Sequence, residues 1–232
     1  YTVLMVDADP DANLAAALGI PAVRRSAIVT IARESALIEE RTGARPGDFG
    51  AMFRLNPEVS DIAGRFAFHW DRLSLLVLGA IERGGSGCAC AASSLVRSLV
   101  QELVLRRDEV LVMDMEAGIE HLGRATARGV DLLLIVSEPG QRSADSALRI
   151  ESMARQIGIT RIAAVANRVR SAADRQFLEQ SLPGLDIIGW IPFSERLCSL
   201  DRDGISVLDG LDDHEMGVFS SLADRILPQK SS

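Results

Sequence analysis

The sequence predicts an α/β fold, a mostly parallel sheet with helices on both faces. Short apolar runs alternate with longer helix-period segments along nearly the whole chain, the pattern of repeated strand-helix-strand units. The runs are rich in Val, Ile and Leu without polar alternation, as strands buried on both faces require. Aromatic residues make up only 4 % of the 232 residues, so Leu, Ile, Val and Ala must build the core.

The first run, residues 1–7 (YTVLMVD), ends at once in carboxylates and reads as a buried strand. Residues 73–78, 110–114, 131–136, 161–167 and 185–191 read the same way. Helix-period segments at 91–106, 141–157, 171–181 and 213–226 lie between or after them, which implies right-handed crossovers and parallel pairing. A further helix is expected to begin near Ala12. Residues 41–72 are rich in Gly and Pro and then mixed in pattern, an insertion that elaborates the sheet edge with a short hairpin. A single domain over 1–232 with a polar tail at 228–232 is expected.

Several function classes are disfavoured. The net charge of −7 argues against nucleic acid, which needs a basic surface. Three cysteines, Cys88, Cys90 and Cys198, are too few for a secreted disulfide framework. No signal-peptide pattern opens the chain and no apolar run is long enough to span a bilayer, so no membrane and a cytoplasmic location are expected.

The strand ends carry the chemistry. Ligands of open α/β sheets sit beyond the carboxyl ends of the strands, and those ends bear Asp7 and Asp9, Asp114 and Glu116, Glu138, and Asn167. In Asp7-Ala8-Asp9-Pro10-Asp11-Ala12-Asn13 two carboxylates stand on a rigid edge, able to orient Mg²⁺ through water or polarise an attacking water. Equally, Asp9 or Asp11 caps the following helix, with Pro10 at an early position. In 110–118 (VLVMDMEAG), four apolar residues followed by Asp114 have the form of a Walker B strand, and Gly118 would let a backbone N–H approach a γ-phosphate.

Nothing in the chain matches GxxxxGK[ST], and the only lysine is Lys230 in the tail. Either a phosphate cradle lies upstream of Tyr1 or the chain is no NTPase. Cys88 and Cys90, in Gly84-Gly85-Ser86-Gly87-Cys88-Ala89-Cys90, open a helix whose N-terminus favours thiolate. A CxC supplies two of the four sulfurs that zinc or nickel takes, and a two-fold dimer would supply the rest. Alternatively the two are small residues packed into a glycine-rich turn. Cys198 reads as core, His69 and His214 as ordinary polar residues, His121 as at most a neighbour of the site, and the charged face of 141–156 as solvated.

Residues 7–14 (DADPDANL), 84–90 (GGSGCAC) and 113–123 (MDMEAGIEHLG) resemble the carbon-monoxide-dehydrogenase maturation ATPases, members of the MinD-like, deviant-Walker-A group of P-loop NTPases. The likeness runs from Tyr1 to about Leu208. It implies that Asp9 activates the attacking water, that Asp7 lies near Mg²⁺ with Asn13 in the same cofactor-binding set, and that Asp114 is the Walker B aspartate. It further implies that Gly118 faces the γ-phosphate, and that Asn167 and the backbone near Pro192 contact adenine. Cys88 and Cys90 would form a dimer-bridging nickel or zinc site. The implied function is an ATP-dependent metallochaperone, active as a homodimer, that supports nickel insertion into carbon monoxide dehydrogenase. The family's glycine-rich loop, its two lysines and the first strand would precede Tyr1. Two other readings are a partition or positioning ATPase of the same group and a non-catalytic metal-binding module; a synthetase of the same fold would leave Cys88 and Cys90 unexplained.

Overall fold

Strand β1 (Val3–Asp7) is flanked on both sides by parallel neighbours, β3 (Leu73–Val77) and β4 (Val110–Asp114), in the computed structural model. Strand β2 (Phe68–Trp70) pairs antiparallel with β3, giving the order β2-β3-β1-β4. The structure describes residues 2–9, 11–46, 48, 50–70, 73–79, 90–105, 110–115, 127 and 129–227. They form two compact units, Tyr1–Gly129 and Val130–Ser232.

In the first unit Leu4, Val6, Leu75, Leu76 and Val77 are buried, which is why β1 and β3 read as apolar runs, β3 broken only at Ser74. Helix α5 (Cys90–Leu105) buries Ala91, Ala92, Leu95, Val96, Leu99, Val100, Leu103 and Val104, a broad stripe at helical spacing. Between β1 and β2 lie α1 (Leu14–Ala17), α2 (Ala22–Arg25), a 3₁₀ turn (Ile31–Arg33), α3 (Ser35–Thr42) and α4 (Ile62–Phe66). The edge elaboration expected within 41–72 is β2 with α4 before it. α4 forms within the stretch of mixed pattern, where Ile62 and Ala63 bury together while Arg65 pairs with Asp61 one turn back at 3.0 Å. Gly79 has φ +77, and a Cβ there would stand 2.2 Å from Thr30 Cγ2, so the exit of β3 admits no side chain.

The second unit is a parallel sheet of β5 (Leu133–Ser137), β6 (Ile162–Val169) and β7 (Asp186–Pro192), in that order. Its helices are α6 (Gln141–Ile157), α7 (Ala172–Ser181), α8 (Glu195–Asp203), α9 (Val207–Gly210) and α10 (Asp213–Ile226). α6 buries Ala144, Ala147 and Ala154, and Arg142, Asp145, Arg149 and Arg155 face solvent as the sequence suggested, while Glu151 is half-buried and paired with Arg155. Leu222 of α10 packs onto Gly189 of β7, where a Cβ would meet Leu222 Cδ1 at 2.8 Å. Cys198 departs from its expected place in the core: it is half-buried on α8, a helix with no buried residue.

Candidate functional site

β1, β3 and β4 end level. Asp7 closes β1 and is register-paired with Val77 on one side and Asp114 on the other. Its side chain is 0 % exposed, yet both oxygens are used. Oδ1 accepts the Asp9 N–H at 3.2 Å and Oδ2 accepts the Leu14 N–H at 3.0 Å. The second bond corrects the capping alternative of Asp9 or Asp11. The helix starts at Leu14, its N-cap Asn13 makes no side-chain cap bond, and Asp7 reaches across to satisfy one of its free N–H groups. Asp9 is occupied locally instead. Its Oδ1 accepts the Asp11 N–H at 2.8 Å, and its carbonyl accepts the Ala12 N–H at 3.1 Å. Ala12 takes φ 51, a left-handed conformation that costs a non-glycine residue about 1 kcal/mol or more. Asn13 is exposed beside it.

The electrostatics of this edge are one-sided. Burial pushes the Asp7 carboxyl above its ordinary range, and Asp114 and Asp9 push it further, against two backbone N–H groups that pull it down. Asp114, more open to solvent, is raised by loss of water first and by Asp9 second. Among the described residues no ion pair joins Asp7, Asp9 or Asp114 to a base. The edge therefore fits an occupant that brings positive charge. No group of three or more His, Cys, Asp or Glu among the described residues is placed to cage a metal ion.

In the second unit Asn167 and Pro192 come to one edge. β6 bulges between Ala166 and Val169, and Val169 is register-paired with Pro192. Within the bulge Arg168 has φ 56, its N–H is accepted by Asn167 Oδ1 at 3.0 Å, and its guanidinium pairs with Glu138 at 3.5 Å. Just beyond β7 the Phe193 N–H donates to the Val169 carbonyl at 3.0 Å, and the Arg170 guanidinium lies 3.4 Å from the centre of the Phe193 ring. The contacts of Arg168, Arg170 and Phe193 carry no sequence signal of their own; a bulge is invisible without its partner strand.

Cys90 opens α5 and is exposed. It is disulfide-bonded, and a disulfide sulfur is not a metal ligand until it is reduced. Cys88, Gly118, Glu116 and His121 lie outside the described residues. Cys90, Ser93, Ser94 and Arg97, at one-face helical spacing, line a cleft of about 580 Å³ against Phe53, Leu55 and Asn56. The Ser94 hydroxyl closes its floor by donating to the carbonyls of Arg54 and Leu55, both at 2.8 Å.

Comparison with known proteins gives a consistent result. The family model described as "CobQ/CobB/MinD/ParA nucleotide binding domain" matches residues 1–207. The carbon monoxide dehydrogenase accessory protein CooC of Rhodospirillum rubrum is 41 % identical over 98 % of this chain and 88 % of its own length. An uncharacterised ATP-binding protein of Methanocaldococcus jannaschii is 42 % identical over 85 % of this chain and 76 % of its own. Among solved structures, the MinD cell division protein of Aquifex aeolicus aligns over 99 % of this chain and 87 % of that one, with a TM-score of 0.60 and 20 % identity. A ParA family ATPase of Chlorobium tepidum aligns over 96 % and 84 %, with a TM-score of 0.56 and 18 % identity. The resemblance carried by 7–14, 84–90 and 113–123 is thereby borne out, and so is the MinD-like α/β fold.

Proposed function

The chain belongs to the CobQ/CobB/MinD/ParA nucleotide binding domain family, and from that premise we propose that it is an ATPase that helps insert nickel into carbon monoxide dehydrogenase. The observation that carries the catalytic half is the level edge of Asp7 and Asp114 with Asp9 beside it, three acids that repel one another with no base paired to them among the described residues. The likeness to a dehydrogenase accessory protein supplies the client.

Bound ATP would supply the phosphoryl group to be transferred, and its Mg²⁺ ion the positive charge this edge lacks. Asp114, at the end of β4, would hold that ion directly or through water. Asp9 has one oxygen fixed by the Asp11 N–H and the other without a partner among the described residues. That second oxygen takes the proton of the attacking water, as a general base must do from a held position. Asp7 is the positioning residue: its two hydrogen bonds lock Asp9 and the start of α1. In this reading Asn13 and Gly118 complete the phosphate-side contacts, and Asn167 and the backbone at Pro192 recognise the base.

The cargo site is Cys88 and Cys90 in reduced form, paired with the same residues of a second copy to give four thiolates. Nickel and zinc both accept that set. The test is metal titration of the reduced, intact protein beside a Cys88→Ala/Cys90→Ala variant. About one metal per two chains is expected in the parent, and none in the variant, with ATP hydrolysis retained. Unchanged metal occupancy after the double substitution would sink the dimer-site reading.

A further inference from the structure

Glu215 is 8 % exposed, the one buried charged side chain among the described residues of the second unit, and its two oxygens serve two different helices. Oε2 accepts the Asp212 N–H at 3.2 Å while the Glu215 N–H goes to Asp212 Oδ1 at 2.8 Å, a capping box that starts α10. Oε1 accepts the hydroxyl of Ser194 at 2.5 Å, twenty-one residues back along the chain. Ser194 is itself the N-cap of α8, where its oxygen accepts the Leu197 N–H at 3.1 Å.

A capping-box glutamate needs no second partner to do its local work, and most stand in solvent. Burying this one and directing its free oxygen to Ser194 ties α10 to the segment that leaves β7. That segment is held from its other side as well, by the Phe193 N–H on the Val169 carbonyl and by Arg170 against the Phe193 ring. Residues 192–194 are thus clamped between the end of β6 and the start of α10. Further along, α10 and β7 enclose a cleft of about 450 Å³ lined by Trp190, His214 and Val218 among others, so the clamp connects to an open surface of the same helix.

We propose that Glu215 is a positioning residue for nucleotide-base recognition: by holding Ser194 it fixes the backbone at Pro192 and Phe193, and it couples base binding to the placement of α10. The inference rests on the reading that this backbone contacts the base. Backbone recognition of a planar ring tolerates errors of only about 0.5 Å, so a loose segment loses affinity without losing any contact residue.

The experiment compares ATP with inorganic tripolyphosphate, which has no base, as competitors for a labelled ATP analogue on the intact protein. Glu215→Ala and Ser194→Ala should each weaken ATP about fivefold, the worth of one hydrogen bond. Tripolyphosphate affinity and kcat at saturating ATP should stay within about twofold in the same variants, since the phosphate side is untouched. Glu215→Gln, which still bonds Ser194, should restore ATP affinity, and the double alanine variant should be no weaker than Glu215→Ala alone. Should Glu215→Ala fail to fold, Ser194→Ala removes a single hydroxyl and carries the same comparison. Parallel weakening of ATP and tripolyphosphate, or unchanged ATP affinity in folded variants, overturns the proposal and leaves Glu215 a structural cap. If the parent protein binds ATP no better than tripolyphosphate, the base-contact reading itself fails, and that outcome is visible before any variant is made.

Discussion

Asp114 sets function against stability at a single side chain. Its carboxyl is raised above the usual range in the folded protein, so the native state holds that proton more tightly than the unfolded chain does. The contribution to stability is greatest below the ordinary carboxylate pKa of about 4 and declines as pH rises through the raised native value. At neutral pH the ionised group is therefore a cost in the nucleotide-free protein. Asp114→Asn should raise Tm at pH 7 and flatten the loss of stability between mildly acidic and neutral pH. The same change should lower ATP hydrolysis about a hundredfold, since one preorganised charge at a phosphoryl-transfer site is worth roughly that much. A Tm that falls at pH 7 would show that Asp114 already has a cationic partner. The sequence drew attention to Asp7, Asp9 and Asp114 because each stands at or just past the end of an apolar run, where an open α/β sheet presents its ligand edge. It left open which acid caps α1, because that depends on the left-handed Ala12 and on Asp7 reaching back to Leu14.

Among the elements, length decided what was legible. α6 and α10 occupy the residues their periodicity marked, 141–157 and 213–226, because each carries three or more turns of pattern. α1, α2, α4 and α9 have four or five residues each, too few for a period to register. α7 shows how a cap can serve a site. Ser171 Oγ accepts the Asp174 N–H at 3.2 Å, while Asp174 Oδ2 accepts the N–H groups of Arg170 and Ser171 at 2.7 and 3.1 Å. The box thus anchors Arg170, whose guanidinium lies on Phe193. Ser171→Ala should destabilise the protein by about 1 kcal/mol in denaturant unfolding. In the proposed reading it should also loosen ATP more than tripolyphosphate, because it frees the far side of the same clamp. A variant of unchanged stability would mean that Asp174 alone carries the cap.

On the scale of the whole molecule, surface charge separates this chain's proposed work from that of a positioning ATPase acting on membranes. No helix among the described residues is long and apolar enough to cross a bilayer. Peripheral attachment would need a basic amphipathic face opposite an apolar one. α10, the last described helix, has Asp213 and Glu215 in its first turn, and Arg225 is the basic residue of its last. The chain's net charge of −7 disfavours attraction to an anionic lipid surface, a field that falls off within a Debye length of about 8 Å at physiological salt. ATP-induced pairing of two copies would double that charge rather than reverse it. Sedimentation with anionic vesicles should therefore recover the protein in the supernatant, with ATP or without it, and lowering the salt should not change the result. Recovery in the vesicle pellet only with ATP would instead assign the ATPase edge to positioning work on membranes, and the cysteine pair would then need a different explanation.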